Sequence, residues 1–92
     1  MLIESFIKYI RYELNLSACT VLSYSNDVKQ FAAHLTGGEE DEFDAVSVTV
    51  NDIREWMVSL VDAGDSVRTV RRKIQSLRAF YKFLLKKGLV KS

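Results

Sequence analysis

Proline is absent from all 92 residues, so no helix here must break or kink at a ring-locked residue. Cysteine and histidine occur once each, as Cys19 and His34. A single thiol excludes an internal disulfide, and one Cys with one His falls short of a structural zinc site. The expectation for Cys19 is therefore a buried or inert thiol. No apolar run approaches the ~20 residues of a membrane-spanning helix. The start Met1-Leu2-Ile3-Glu4 lacks the basic segment and cleavage site of a secretory leader, which makes a cytoplasmic location the expectation. Strand-like alternation is confined to Val46-Ser47-Val48-Thr49-Val50, which has no evident partner and reads as the approach to a helix.

What remains is helical periodicity around one core, since a chain of this length suits one domain and not two. Leu2, Ile3, Phe6, Ile7, Ile10 and Leu14 recur at spacings of three and four and predict a helix over about residues 2–14. Ser17 has the chemistry of an N-cap for a second helix over about 18–36, which buries Val21, Val28, Phe31, Ala32 and Leu35 and stops at Gly37-Gly38. The acid-rich stretch from Glu39 to Asp44 reads as a solvated loop, because its spacing is not that of a calcium-binding loop. Thr49 then caps a third helix over about 50–63, with Ile53, Trp56, Met57, Leu60 and Val61 inward and Gly64 at its end. Asp65 or Ser66 starts a fourth over about 66–87, burying Val70, Ile74, Leu77, Phe80, Tyr81 and Leu84 and ending at Gly88. The fold class is all-α.

Charge is divided unevenly along this frame. Residues 1–65 hold four basic residues and all 12 acidic ones, a net −8, whereas residues 66–92 hold nine basic residues and no acid. On a helical wheel with Val70 at zero, the apolar residues of the fourth helix occupy roughly 280° to 40°. Arg68, Arg71, Arg72, Gln75, Arg78, Lys82 and Lys86 occupy roughly 80° to 200°. Phe83 falls outside both sectors. Like charges at i, i+4 repel each other, and a phosphate backbone relieves that repulsion with release of counterions. An α-helix also fits the DNA major groove, where an arginine fork can bond guanine and Gln75 can pair with adenine. Such a surface requires these groups to stand outward together and unpaired. About five neutralised phosphates would make log K fall against log salt with a slope of about −4 to −5.

A solvated or protein-facing basic helix fits the same stripe. So does a module that meets an acidic protein or an anionic membrane surface, for which Phe83 would be an exposed apolar contact. Near the start of the second helix, Ser17, Thr20, Ser23 and Tyr24 can meet phosphates, although Ser17 is also a simple cap and Tyr24 also a core residue. The parts for catalysis are missing. His34 has no acid, base or ligand neighbours, and the tyrosines lie in or beside apolar stripes. The sequence therefore points to no catalytic residue, metal, cofactor or small-molecule substrate.

The pattern Leu16-Ser17-Ala18-Cys19-Thr20-Val21-Leu22-Ser23-Tyr24, then Asp27-Val28 and Phe31, resembles the second helix of the N-terminal core-binding domain of tyrosine recombinases, the Xer-type and phage-integrase family. The stretch Ser66-Val67-Arg68-Thr69-Val70-Arg71-Arg72-Lys73-Ile74, followed by Leu77-Arg78-Ala79-Phe80-Tyr81-Lys82-Phe83-Leu84 and Gly88, resembles that domain's fourth helix. The resemblance implies a SAM-like four-helix orthogonal bundle that clamps recombination-site DNA through its second and fourth helices, beside other recombinase protomers. By matching positions it brings Arg68, Thr69 and Arg72 of the fourth helix, and Thr20 and Ser23 of the second, toward bases or nearby phosphates. Arg71, Gln75, Ser76 and Arg78 are adjacent candidates. It also implies one binding domain spanning residues 1–92, not itself an enzyme, with the catalytic domain of the parent recombinase beyond it.

Overall fold

A computed structural model describes residues 2–38 and 43–90. Among these, the chain forms four α-helices and no strand: α1 (Leu2–Lys8), α2 (Ala18–Thr36), α3 (Val50–Asp62) and α4 (Val67–Lys86). Most of the acidic stretch, residues 39–42, lies outside the described residues, as does Lys91.

The helix starts are set by side chains that satisfy otherwise unpaired backbone donors. Ser17 Oγ accepts from Thr20 N at 3.3 Å, and Ser66 Oγ accepts from Thr69 N at 3.2 Å. Thr49 and Asp52 form a reciprocal box at the start of α3, with Asp52 N donating to Thr49 Oγ1 at 3.2 Å and Thr49 N donating to Asp52 Oδ2 at 2.9 Å. At the far end of α2, Gly37 takes φ +69°, a left-handed conformation that costs glycine little. The segment 46–50 begins in a short 3-10 turn, Ala45–Ser47, and runs into the Thr49 cap without forming a strand.

The first helix departs from expectation at its end. After Lys8 it widens into a π-helical turn, Tyr9–Glu13, in which Leu14 N donates to Tyr9 O at 3.0 Å. Bonding five residues back breaks the three-and-four spacing, so Leu14 leaves the apolar stripe and is exposed.

An aromatic series joins all four helices. Tyr9 meets Phe83 at 5.0 Å between centroids, Phe83 meets Phe6 at 5.8 Å, and Phe6 meets Phe80 edge-on at 5.3 Å. Phe43 links Phe80 to Phe31, which rests on Trp56 at 5.1 Å. These offset and edge-on arrangements suit the ring quadrupoles and add to the area they bury. Phe83 is therefore core, covered by α1, and not the exposed contact its wheel position allowed. On α3, burial is confined to a narrow face around Trp56 and Leu60, with Ile53 at its margin. Met57 and Val61, expected inside, are exposed, because among the described residues no neighbouring element covers that side.

Candidate nucleic-acid interface

The buried residues of α4 are Val70, Lys73, Ser76, Leu77, Phe80, Phe83 and Leu84. On the wheel they fill roughly 220° to 0°, so the face turned inward is rotated by some tens of degrees from the purely apolar one. The opposite arc carries Arg68, Arg71, Gln75, Arg78, Lys82 and Lys86, all on the outer side of the helix. None of the ion pairs among the described residues involves Arg68, Arg71, Arg78 or Lys82. Two other cations of the helix do not stand free. Lys73 is buried, with Nζ 2.8 Å from Asp65 Oδ2, and ties α4 to the turn after α3. Arg72 donates from Nη2 to Asp27 Oδ1 at 3.0 Å, which corrects the expectation of an unpaired stripe at that position.

Asp27 organises the contact between α2 and α4. Its other oxygen accepts from Ser76 Oγ at 2.7 Å. Ser76 is 0% exposed, so it is placed in this interhelical bond and not on the outer surface with the neighbouring candidates. Thr69 is half-buried in the first turn, where its Oγ1 accepts from Ser66 Oγ at 3.1 Å. Thr20 stands in the same relation to Ser17 at 2.9 Å on α2. Thr20, Ser23 and Tyr24 lie seven, four and three residues before Asp27, so they share the side of α2 that meets α4. All three are half-buried, and Tyr24 packs against the core. The candidate residues thus divide into an exposed arc of Arg68, Arg71, Gln75 and Arg78, the Arg72 and Ser76 side chains bonded to Asp27 between α2 and α4, and the half-buried Thr69, Thr20, Ser23 and Tyr24.

The sequence alone gives Asp27 no role, and one signal points to it. It sits among Val21, Ser25, Val28, Phe31 and Ala32 on the buried face of α2, where a carboxylate needs a partner, and the unbalanced cations are all in the last third of the chain. Other expectations concern isolated groups. Cys19 is exposed and not buried, and His34 is exposed in the last turn of α2. Among the described residues no cluster of His, Cys, Asp or Glu has the arrangement to hold a metal ion, and no helix is long and apolar enough to cross a membrane.

The family model described as phage integrase, N-terminal SAM-like domain, matches residues 3–88. The chain belongs to this family. Among curated relatives of this SAM-like domain, the tyrosine recombinase XerC of Oceanobacillus iheyensis is 40% identical over 88 residues, covering 96% of the chain and 28% of the relative. That of Bacillus pumilus is 36% identical over 90 residues, covering 98% and 29%. That of Bacillus subtilis is 30% identical over 88 residues, covering 96% and 28%. The domain thus spans under a third of the length of these relatives. No solved structure matches it. Family and all-helical architecture agree with the expectations from the sequence.

Proposed function

We propose that this domain binds double-stranded DNA at a recombination site, with the outer face of α4 against the duplex and the first turns of α2 beside it. It serves as one N-terminal clamp of a tyrosine recombinase in the cytoplasm, next to other protomers on the same DNA. In this role it occupies residues 1–92 as one unit, and strand cleavage and joining belong to a separate catalytic domain. The relatives named above are tyrosine recombinases, and that kinship supports the role.

One observation carries the reading: Arg68, Arg71, Arg78 and Lys82 stand on one exposed face with no carboxylate partner among the described residues. Arg78 and Lys82 are four residues apart and Arg68 and Arg71 three, so the helix bears repeated like-charge repulsion that a row of phosphates would relieve. The competing docking role drew on an exposed Phe83, and that side chain is buried.

Fluorescence anisotropy with a labelled duplex over a range of salt tests the proposal. Four phosphate contacts give a log–log slope of roughly −3.5, and Arg68→Ala, Arg71→Ala and Arg78→Ala each lower its magnitude by about 1. Binding that ignores salt, or anionic vesicles that outcompete the duplex at equal salt, would reject it. The isolated chain should neither cut nor ligate that duplex.

A further inference from the structure

The geometry points to Asp27 as a positioning residue for Arg72: it fixes the guanidinium at the seam between α2 and α4 and cancels its charge, so that Arg72 meets DNA as an oriented hydrogen-bond donor and not as a mobile cation. This inference rests on the DNA-binding reading and goes beyond it, because it assigns two adjacent arginines different work.

The side chain of Asp27 is 4% exposed and that of Arg72 is 49% exposed. The carboxylate is thus inside the seam, whereas half of the guanidinium side chain is outside. One Nη2–H is committed to Asp27 Oδ1 at 3.0 Å. The guanidinium is planar and its donors keep fixed angles to one another, so anchoring one edge aims the remaining N–H groups outward. Ser76 locks the anchor, since its hydroxyl donates to Asp27 Oδ2 at 2.7 Å and is itself fully buried. Were Arg72 to swing away to a phosphate, a buried carboxylate would lose its counter-charge, and an uncompensated buried charge is strongly disfavoured. Arg71, one residue earlier, has no such anchor among the described residues and can follow whichever phosphate is near. Fixed direction favours a defined base edge, and free charge favours the backbone.

Asp27→Asn separates positioning from structural support. The carbonyl oxygen of the substituted side chain can still accept from Arg72, and its amide nitrogen can donate to Ser76 Oγ, whose proton can turn to Arg72 O, already 3.2 Å away. The fold thus keeps its hydrogen-bonding options, whereas the charge that held the guanidinium in the seam is lost, so Arg72 is no longer bound to one direction. Binding is measured against salt with a random-sequence duplex, and preference with a duplex enriched from a random pool by the wild-type chain against a shuffled duplex of equal composition. The expected result is a slope steeper by about 0.9 in Asp27→Asn, as Arg72 becomes a free cation, with preference reduced by about tenfold. Adding Arg72→Ala returns the slope to the wild-type value and leaves preference lost. A helix-packing role alone would lower stability and leave the slope unchanged.

A folded Asp27→Asn with unaltered slope and preference overturns the inference, as does a wild-type chain that enriches no sequence. If the wild type binds no duplex, the DNA reading fails and this one with it. If it binds and the Arg68, Arg71 and Arg78 variants flatten the slope while Asp27→Asn changes nothing, only the role of Asp27 fails. Should Asp27→Asn not fold, Arg72→Lys keeps Asp27 partnered and the charge in place but removes the planar fork. Preference is then lost at unchanged slope, and retained preference overturns the assignment.

Discussion

Phe83 and Tyr9 lie ring against ring with centroids 5.0 Å apart, which fastens the π-helical end of the first helix onto the C-terminal half of α4. Phe83 touches Phe6 as well and is 3% exposed. Phe83→Ala should therefore cost about 3–5 kcal/mol, a large part of the roughly 5–15 kcal/mol that holds a small domain folded. Urea denaturation followed by circular dichroism measures it. A loss below about 0.5 kcal/mol, the usual cost at an exposed position, would contradict the packing.

Lys73 tests the difference between a cation that belongs to the fold and one that belongs to the surface. Its Nζ is 2.8 Å from Asp65 Oδ2 and the residue is buried. Lys73→Ala should destabilise the domain by about 1–3 kcal/mol, because Asp65 is left only partly solvated without its partner. The salt slope for duplex binding should stay at its wild-type value, since that charge is already neutralised within the protein. A slope flattened as much as in Arg71→Ala would mean that Lys73 leaves Asp65 for the DNA.

The frame of this fold is legible because its signals are local. Ser17, Thr49 and Ser66 act within their own first turns, Gly37 acts at one residue, and the spacing of Phe6 and Ile10 or of Leu77 and Leu84 is counted along one helix. What stays hidden depends on partners distant in sequence. Ser76 reads as a surface residue by type, yet it is buried by a bond to Asp27, 49 positions away. Arg72 reads as one more cation of the stripe until that same carboxylate is placed beside it. Lys73 and Ser76 together turn the buried arc of α4 away from its apolar arc, and Phe83 falls inside only once α1 is laid over it. Leu14 departs for another reason: the wheel assumes one residue angle throughout, and the π-helical turn changes it.

Tyr81 gives the domain an alkaline limit. Its hydroxyl donates to Ala45 O at 2.8 Å, and burial, then the carboxylates of Asp44 and Asp52, hold the phenol well above its ordinary value of 10.0. The unfolded chain releases this proton near the ordinary value and the folded chain retains it to higher pH. Its contribution is complete below that value and is lost as pH rises toward the folded one. Tyr81→Phe should cost about 1 kcal/mol at neutral pH through the lost hydrogen bond, and its stability should fall less steeply than the wild type's in the alkaline range. Thermal denaturation across pH compares the two, and parallel curves would remove Tyr81 from the alkaline response.

The matched starts of α2 and α4 allow capping to be separated from binding. In both, a serine hydroxyl accepts from the backbone N–H three residues on and donates to the threonine hydroxyl at that position. Ser17→Ala and Ser66→Ala remove an acceptor from the helix end and should each cost about 0.5–2 kcal/mol. Thr20→Val and Thr69→Val keep the backbone donor and its cap, so stability should change by less than about 0.5 kcal/mol. If those hydroxyls meet phosphates, the valine variants weaken duplex binding equally for every sequence, because a phosphate contact carries no base information. Denaturation and anisotropy on the four variants distinguish the roles. Full binding by both valine variants would confine these threonines to the helix ends.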